Sequence, residues 1–125
     1  MLEIQEKLTE GGYEDVRKWA GDVDLHITEA LDRGEVCGYI AYSYERSKTV
    51  VYAYDDGGQL MLCDGLVRSV MLKSTIKGIN TVEFRLADSE GLTALRKLRF
   101  ISSDEIISEN IERFMNGCSE CKRSS

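Results

Sequence analysis

Apolar residues recur at two periods along this 125-residue chain, first every second position and then about every 3.6, and the change falls near residue 59. Before it, Leu25-His26-Ile27-Thr28-Glu29-Ala30 alternates and runs into the hairpin-like turn Asp32-Arg33-Gly34. In the next run Val36, Ile40, Tyr42 and Tyr44 share one face, with Cys37, Tyr39 and Ala41 on the other, and Thr49-Val50-Val51-Tyr52-Ala53-Tyr54 follows after a tight polar loop. Three successive antiparallel strands are predicted. Beyond the change, Cys63, Leu66, Val67, Val70, Met71 and Ser74 mark one face of a helix over 59–77, with Gly78 as its left-handed stop and Lys73 and Lys77 near the negative end of its dipole.

The flanking segments are shorter. Tyr13, Val16, Trp19 and Ala20 fall on one face of a short helix anchored by Trp19. Thr81 to Leu86 reads as a strand reached through a helical crossover, which favours parallel pairing with an earlier strand. Ser89 to Lys97 reads as a second helix with Leu92, Leu95 and Leu98 inward. Ser102-Ser103-Asp104-Glu105 has the spacing of a capping box, so a third helix is predicted over 102–118, its stripe being Ile107, Ile111, Phe114, Met115 and Cys118. There is no proline, no internal repeat and no linker, and residues 1–125 read as one domain.

Composition narrows the function. A formal net charge of −6 disfavours nucleic acid, since the only clustered cations are Arg96, Lys97, Arg99 and Lys122-Arg123, which read as solvated. No apolar run approaches the ~20 residues of a membrane span. The opening Met1-Leu2-Glu3-Ile4-Gln5-Glu6 is mixed and acidic, without the pattern of a secretion signal, and the chain reads as cytoplasmic. Cys37 and Cys63 fall in apolar segments and read as buried thiols in a reducing compartment. Cys118 and Cys121 form a C-x-x-C pair, but zinc needs four ligands and no second pair or neighbouring histidine accompanies them, so no metal is expected.

Gly34-Glu35-Val36-Cys37-Gly38-Tyr39-Ile40-Ala41, Tyr52-Ala53-Tyr54-Asp55 and Asp88-Ser89-Glu90-Gly91 followed by Leu98-Arg99-Phe100 stand in one order and spacing. Together the stretch Leu25 to Phe100 resembles the GNAT superfamily of acyl-CoA-dependent N-acetyltransferases. The resemblance implies an α+β fold, a mixed and mostly antiparallel sheet flanked by helices, here shortened at both ends and finished by the C-terminal helix. It also implies acetyl-CoA or another acyl-CoA as cofactor. In that family a strand splays from its neighbour and leaves backbone groups that pair with the pantetheine amides, while a helix N-terminus receives the pyrophosphate. Carried onto this chain, the cofactor-binding positions are Tyr52, Ala53, Tyr54, Gln59, Leu60, Met61, Leu62, Cys63 and Asp88.

Several of those positions depart from the family pattern Arg/Gln-x-x-Gly-x-Gly/Ala. Gln59 fills its first place, but Leu62 and Asp64 stand for the small residues, and a shift of one residue puts Met61 and Cys63 there instead. Asp64 would add a negative charge beside a polyanion, costing ~1 kcal/mol or more where solvent is excluded. Gly57-Gly58 relaxes the loop from the other side. The proton-donating tyrosine of many such enzymes is matched by Leu95, which cannot donate. Glu29, Asp55 and Glu83 are candidate bases with simpler roles as strand or turn carboxylates, and His26 has neither a nucleophile nor a base as partner in the sequence. No catalytic residue is assigned. The expectation is an acyl-CoA-binding protein of N-acetyltransferase ancestry, weak or lost in activity, with a small-molecule or peptide amine as partner. The alternative is a non-catalytic binding or assembly module, with a homodimer formed through the Ile107/Phe114 stripe or the strand tyrosines 39, 42, 44, 52 and 54.

Overall fold

The structure, a computed structural model, describes residues 2–7, 11–102, 105–109 and 111. Six strands form one sheet whose spatial order is that of the chain: β1 (Leu2–Glu6), β2 (His26–Asp32), β3 (Glu35–Tyr44), β4 (Thr49–Asp55), β5 (Thr81–Phe84) and β6 (Ile107–Glu109). Every pair is antiparallel except β4 with β5. The hairpin between β2 and β3 closes through Arg33 and Gly34, both at positive φ (56° and 84°), the backbone that matches the twist of flanking strands. Between β4 and β5 the chain must return to the same end of the sheet, and α2 (Leu60–Ile76) supplies that crossover and makes the pair parallel.

The stripe expected on α2 is the face it buries, with Leu62 added to Cys63, Leu66, Val67, Val70, Met71 and Ser74. It packs with α3 (Glu90–Lys97) on one side of the sheet, against Ala30, Ile40, Tyr42, Val51, Val82 and Phe84. The other side carries α1 (Glu14–Ala20), where the Tyr13 ring just ahead of the helix packs at a tilt against Tyr39 and its hydroxyl donates to Glu29 at 2.5 Å. Helix α2 ends as its sequence predicts: Gly78 sits at φ 80°, its N–H bonds the Thr75 carbonyl and the Ile79 N–H bonds the Ser74 carbonyl. Buried polar groups are paired across the same layer, with Thr49 and Ser74 hydroxyls 2.6 Å apart and Thr28 2.9 Å from the Tyr42 hydroxyl, where Lys73 also reaches in.

Three expectations change, and one strand is new. Leu2–Glu6, for which no element is predicted, is β1; Leu2 and Ile4 remain exposed, so the strand forms because β2 offers an open edge rather than because β1 buries a face. The helix over 102–118 is contradicted where it is described: Ile107–Glu109 is β6, paired with Thr81–Glu83 of β5, and the Ile111 N–H bonds the Asn80 carbonyl. Residues 112–118, with Phe114, Met115 and Cys118, lie outside the described residues, as does Cys121. Within the supposed capping box the Ser102 hydroxyl donates to the Glu105 carboxylate at 2.6 Å without a helix following. The i, i+4 spacing of Ile107 and Ile111 mimicked a helix face, while the free edge of β5 had the stronger claim on that backbone. Cys37 is exposed, because a bulge in β3 makes it the unpaired residue between Val36 and Gly38; Cys63 is buried as expected. Trp19 is 48% exposed and anchors α1 through its indole N–H, which donates to the Arg85 carbonyl at 2.8 Å.

Candidate functional site

Strands β4 and β5 share only three paired positions, Thr49 with Val82, Val50 with Glu83 and Val51 with Phe84. The last rung is the Arg85 N–H on the Val51 carbonyl, at 2.7 Å. Above it the two strands part. β4 stays on β3 through Ala53, Tyr54 and Asp55, after a bulge that leaves Tyr52 as the extra residue, while the chain beyond Phe84 turns away toward α3. A bulge bends its own strand and adds local twist, and here it carries the upper half of β4 off the line of β5. The backbone of 52–55 therefore faces a cleft of about 710 Å³ instead of a neighbouring strand.

Two glycines let the walls of this cleft close. A Cβ on Gly91 would lie 2.6 Å from Leu86 Cδ1 and 3.3 Å from Tyr54 Cε1, so a larger residue would displace the Leu86 side chain and press on the Tyr54 ring, whose hydroxyl donates to the Gly91 carbonyl. A Cβ on Gly38 would lie 2.6 Å from the Asp55 carbonyl oxygen and 3.0 Å from Leu62 Cδ2, so Gly38 admits both the end of β4 and the first turn of α2. Burial, and then the neighbouring Cys63 thiol, hold the Tyr54 hydroxyl far above the usual phenol range, so it stays a donor. Burial pushes the Cys63 thiol up to about 11, against the opposing influence of the neighbouring Tyr54 hydroxyl, and Cys63 is therefore no nucleophile near neutrality.

The start of α2 stands at the same mouth. The Asp55 carboxylate accepts from the Gly57 N–H at 2.9 Å, the Asp56 carboxylate from the Gly58 N–H at 2.8 Å, and the Gln59 N–H bonds the Asp56 carbonyl at 3.0 Å. No side chain caps the helix and no acidic residue lies in its first turn. Leu62 points into the core against Gly38, which answers the steric objection its size raised in the sequence. Asp64 is bound by both carboxylate oxygens to Arg68 Nε at 3.0 Å, so its charge is compensated.

Of the positions marked in the sequence, Tyr52, Ala53, Tyr54, Leu60 and Asp88 line the cleft. Gln59 and Met61 face solvent beside its mouth, and Leu62 and Cys63 are packed in the core. Asp88 caps the Glu90 N–H at 3.1 Å. Sequence reasoning missed the wall contributed by α1, namely Asp15, Val16 and Trp19, and the α3 residues Thr93, Ala94 and Lys97. The charge of that lining, Asp15, Asp55, Asp56, Asp88 and Glu90 against Lys97, was legible residue by residue but not as one surface.

The other candidates lie apart. Glu83 is held by Lys48 at 2.7 Å and Arg85 at 2.6 Å; Arg85 first, then Lys48, keep its carboxyl below the usual range against the effect of burial. His26 stacks on Tyr42, with Asp24 at 3.6 Å. Leu95 is fully buried. Among the described residues no cluster of three metal-ligating side chains gathers, and no helix is long and apolar enough to cross a membrane.

No protein-family model and no curated protein matches the sequence. Solved structures do match the fold. A GNAT family acetyltransferase from Elizabethkingia anophelis with acetyl-CoA bound aligns over 82% of this chain and 78% of its own at 13% identity, with a TM-score of 0.61. An aminoglycoside acetyltransferase from an uncultured soil metagenomic sample, in complex with trehalose, aligns over 84% and 91% at 12% identity and a TM-score of 0.60. A ribosomal-protein-alanine N-acetyltransferase from Brucella melitensis aligns over 83% and 94% at 10% identity and a TM-score of 0.58. The chain has the GNAT fold, an α+β sheet of mixed, mostly antiparallel strands flanked by helices.

Proposed function

We propose that this chain is an acyl-CoA-binding protein of N-acetyltransferase descent, working in a reducing compartment such as the cytoplasm on an amine of small-molecule or peptide origin. One observation carries the reading: the β4–β5 ladder stops at Val51, and the free edge of residues 52–55 then faces a cleft beside an uncapped helix N-terminus. Unpaired strand backbone is a ready partner for an amide-bearing chain. Neighbours of the same fold support it, one with acetyl-CoA bound and others named for aminoglycoside and ribosomal-protein amines.

The residues fit part of such a donor. Backbone groups of Tyr52 to Asp55 would hold the amides of its arm, and the first turn of α2 would receive one phosphate through N–H groups that have no other partner in the helix. When bound, a coenzyme A thioester supplies an acyl carbonyl activated toward an amine. The chain's own part in transfer is limited. Leu95 offers no proton to a leaving thiolate, and the Tyr54 hydroxyl, protonated, is engaged with the Gly91 carbonyl. The carboxylates of Asp15, Asp55 and Asp56 attract a cationic acceptor to the α1 side of the cleft. Activity is accordingly weak or confined to an acceptor that brings its own acid and base.

A thermal-shift titration with acetyl-CoA tests this, since a ligand at a hundred times its Kd adds ~2.7 kcal/mol of stability. A stabilising shift is expected, and Gln59→Glu, which sets a carboxylate at the start of α2, should weaken acetyl-CoA about twofold. No shift at millimolar ligand favours the second reading, a non-catalytic assembly module. That reading draws on Met61, Leu72 and Ile76, which stand outward from α2 at 89%, 52% and 77% exposure.

A further inference from the structure

We infer that the cleft draws its affinity from the pantetheine-type arm of an acyl donor and disfavours the nucleotide that carries it, so that its preferred donor is a thioester poor in phosphate. This rests on the acyl-donor reading above and specifies which part of the donor is recognised. Three observations support it. The arm's partner, the edge of 52–55 that faces away from β3, has no strand beside it, because the pairing of β4 with β5 ends at Val51. By contrast, donors that would serve a polyphosphate are taken by the chain's own carboxylates: Gly57 N–H by Asp55, Gly58 N–H by Asp56 and Glu90 N–H by Asp88. Among the described residues that line the cleft, Lys97 is the one cation against five carboxylates.

The sign of the field follows directly. A nucleotide with several phosphate charges entering between Asp15, Asp55, Asp56, Asp88 and Glu90 meets repulsion from each, and at a separation of about 8 Å in water every such pair weakens binding about twofold. The uncapped first turn of α2 offsets a fraction of this for one phosphate. A neutral arm meets no such penalty, and its amides find the same open rungs.

Calorimetric titration of the intact protein with acetyl-CoA and with S-acetylpantetheine decides the matter. At about 50 mM salt, acetyl-CoA is expected to bind at least about twofold more weakly than S-acetylpantetheine, and raising salt to about 500 mM should tighten acetyl-CoA while leaving S-acetylpantetheine unmoved, because salt screens repulsion. Asp56→Asn and Asp88→Asn, which keep an oxygen acceptor for Gly58 and Glu90, should together improve acetyl-CoA binding about fivefold. Tighter binding of acetyl-CoA than of S-acetylpantetheine, or an affinity for acetyl-CoA that weakens with salt, overturns the inference while leaving the acyl-donor reading in place. Binding of neither compound at millimolar concentration removes the acyl-donor reading and the inference with it.

Discussion

The two halves of β4 differ in one respect. In the lower half Thr49, Val50 and Val51 are fully buried and paired on both sides; in the upper half Ala53, Tyr54 and Asp55 are paired with β3 alone and grow steadily more exposed. The lower half is ordinary sheet core, while the upper half leaves backbone groups to a ligand or to water. What separates them is local: one extra residue at Tyr52, and two hydrogen bonds that fix the far wall, the Trp19 indole on the Arg85 carbonyl and the Tyr54 hydroxyl on the Gly91 carbonyl. A binding cleft is made here by withholding hydrogen bonds from a strand that is otherwise built to make them.

Substitutions in the two halves should therefore fail differently. Phe84→Ala, in the closed half, is expected to cost ~3–5 kcal/mol of stability in urea unfolding, because it empties a fully buried site facing α2. Gly38→Ala should cost about 2 kcal/mol and also displace the end of β4, since the new methyl meets the Asp55 backbone rather than a movable side chain; a crystal structure of the variant would show the cleft altered. Glu83→Gln should cost about 1–2 kcal/mol near neutral pH by leaving Lys48 and Arg85 without their shared carboxylate. Because the Glu83 carboxyl is held below its ordinary value near 4.5, that contribution is complete above 4.5 and disappears as pH falls through the lowered value. Wild type and variant should thus converge in stability at acid pH. Smallest is Tyr54→Phe, expected to cost about 1 kcal/mol through the lost bond to Gly91, with the open half loosened and the closed half untouched by hydrogen exchange.

Periodicity made the closed half readable. The α2 stripe, the hairpin at Arg33-Gly34, the stop at Gly78 and the parallel crossover into β5 all follow from spacing and turn chemistry in the sequence. The edges were not readable in the same way. β1 buries little, and β6 carries Ile107 and Ile111 at a helical interval, so in both cases a vacant sheet edge, not local pattern, decides the structure. The splay at Tyr52 was legible only through family resemblance, because a bulge leaves no periodic trace in a run of β-branched and aromatic residues. The acidic character of the cleft was hidden for another reason: Asp15, Asp56 and Glu90 come from three elements and meet only when folded.

The open rungs themselves can be watched by following backbone amide NMR signals during titration with S-acetylpantetheine. Shifts concentrated at residues 52–55 and 85–88, with Thr49 to Val51 and their β5 partners unmoved, are expected if an amide-bearing arm completes the interrupted ladder. Binding that moves the closed half, or moves residues elsewhere on the sheet while 52–55 stay fixed, would contradict it.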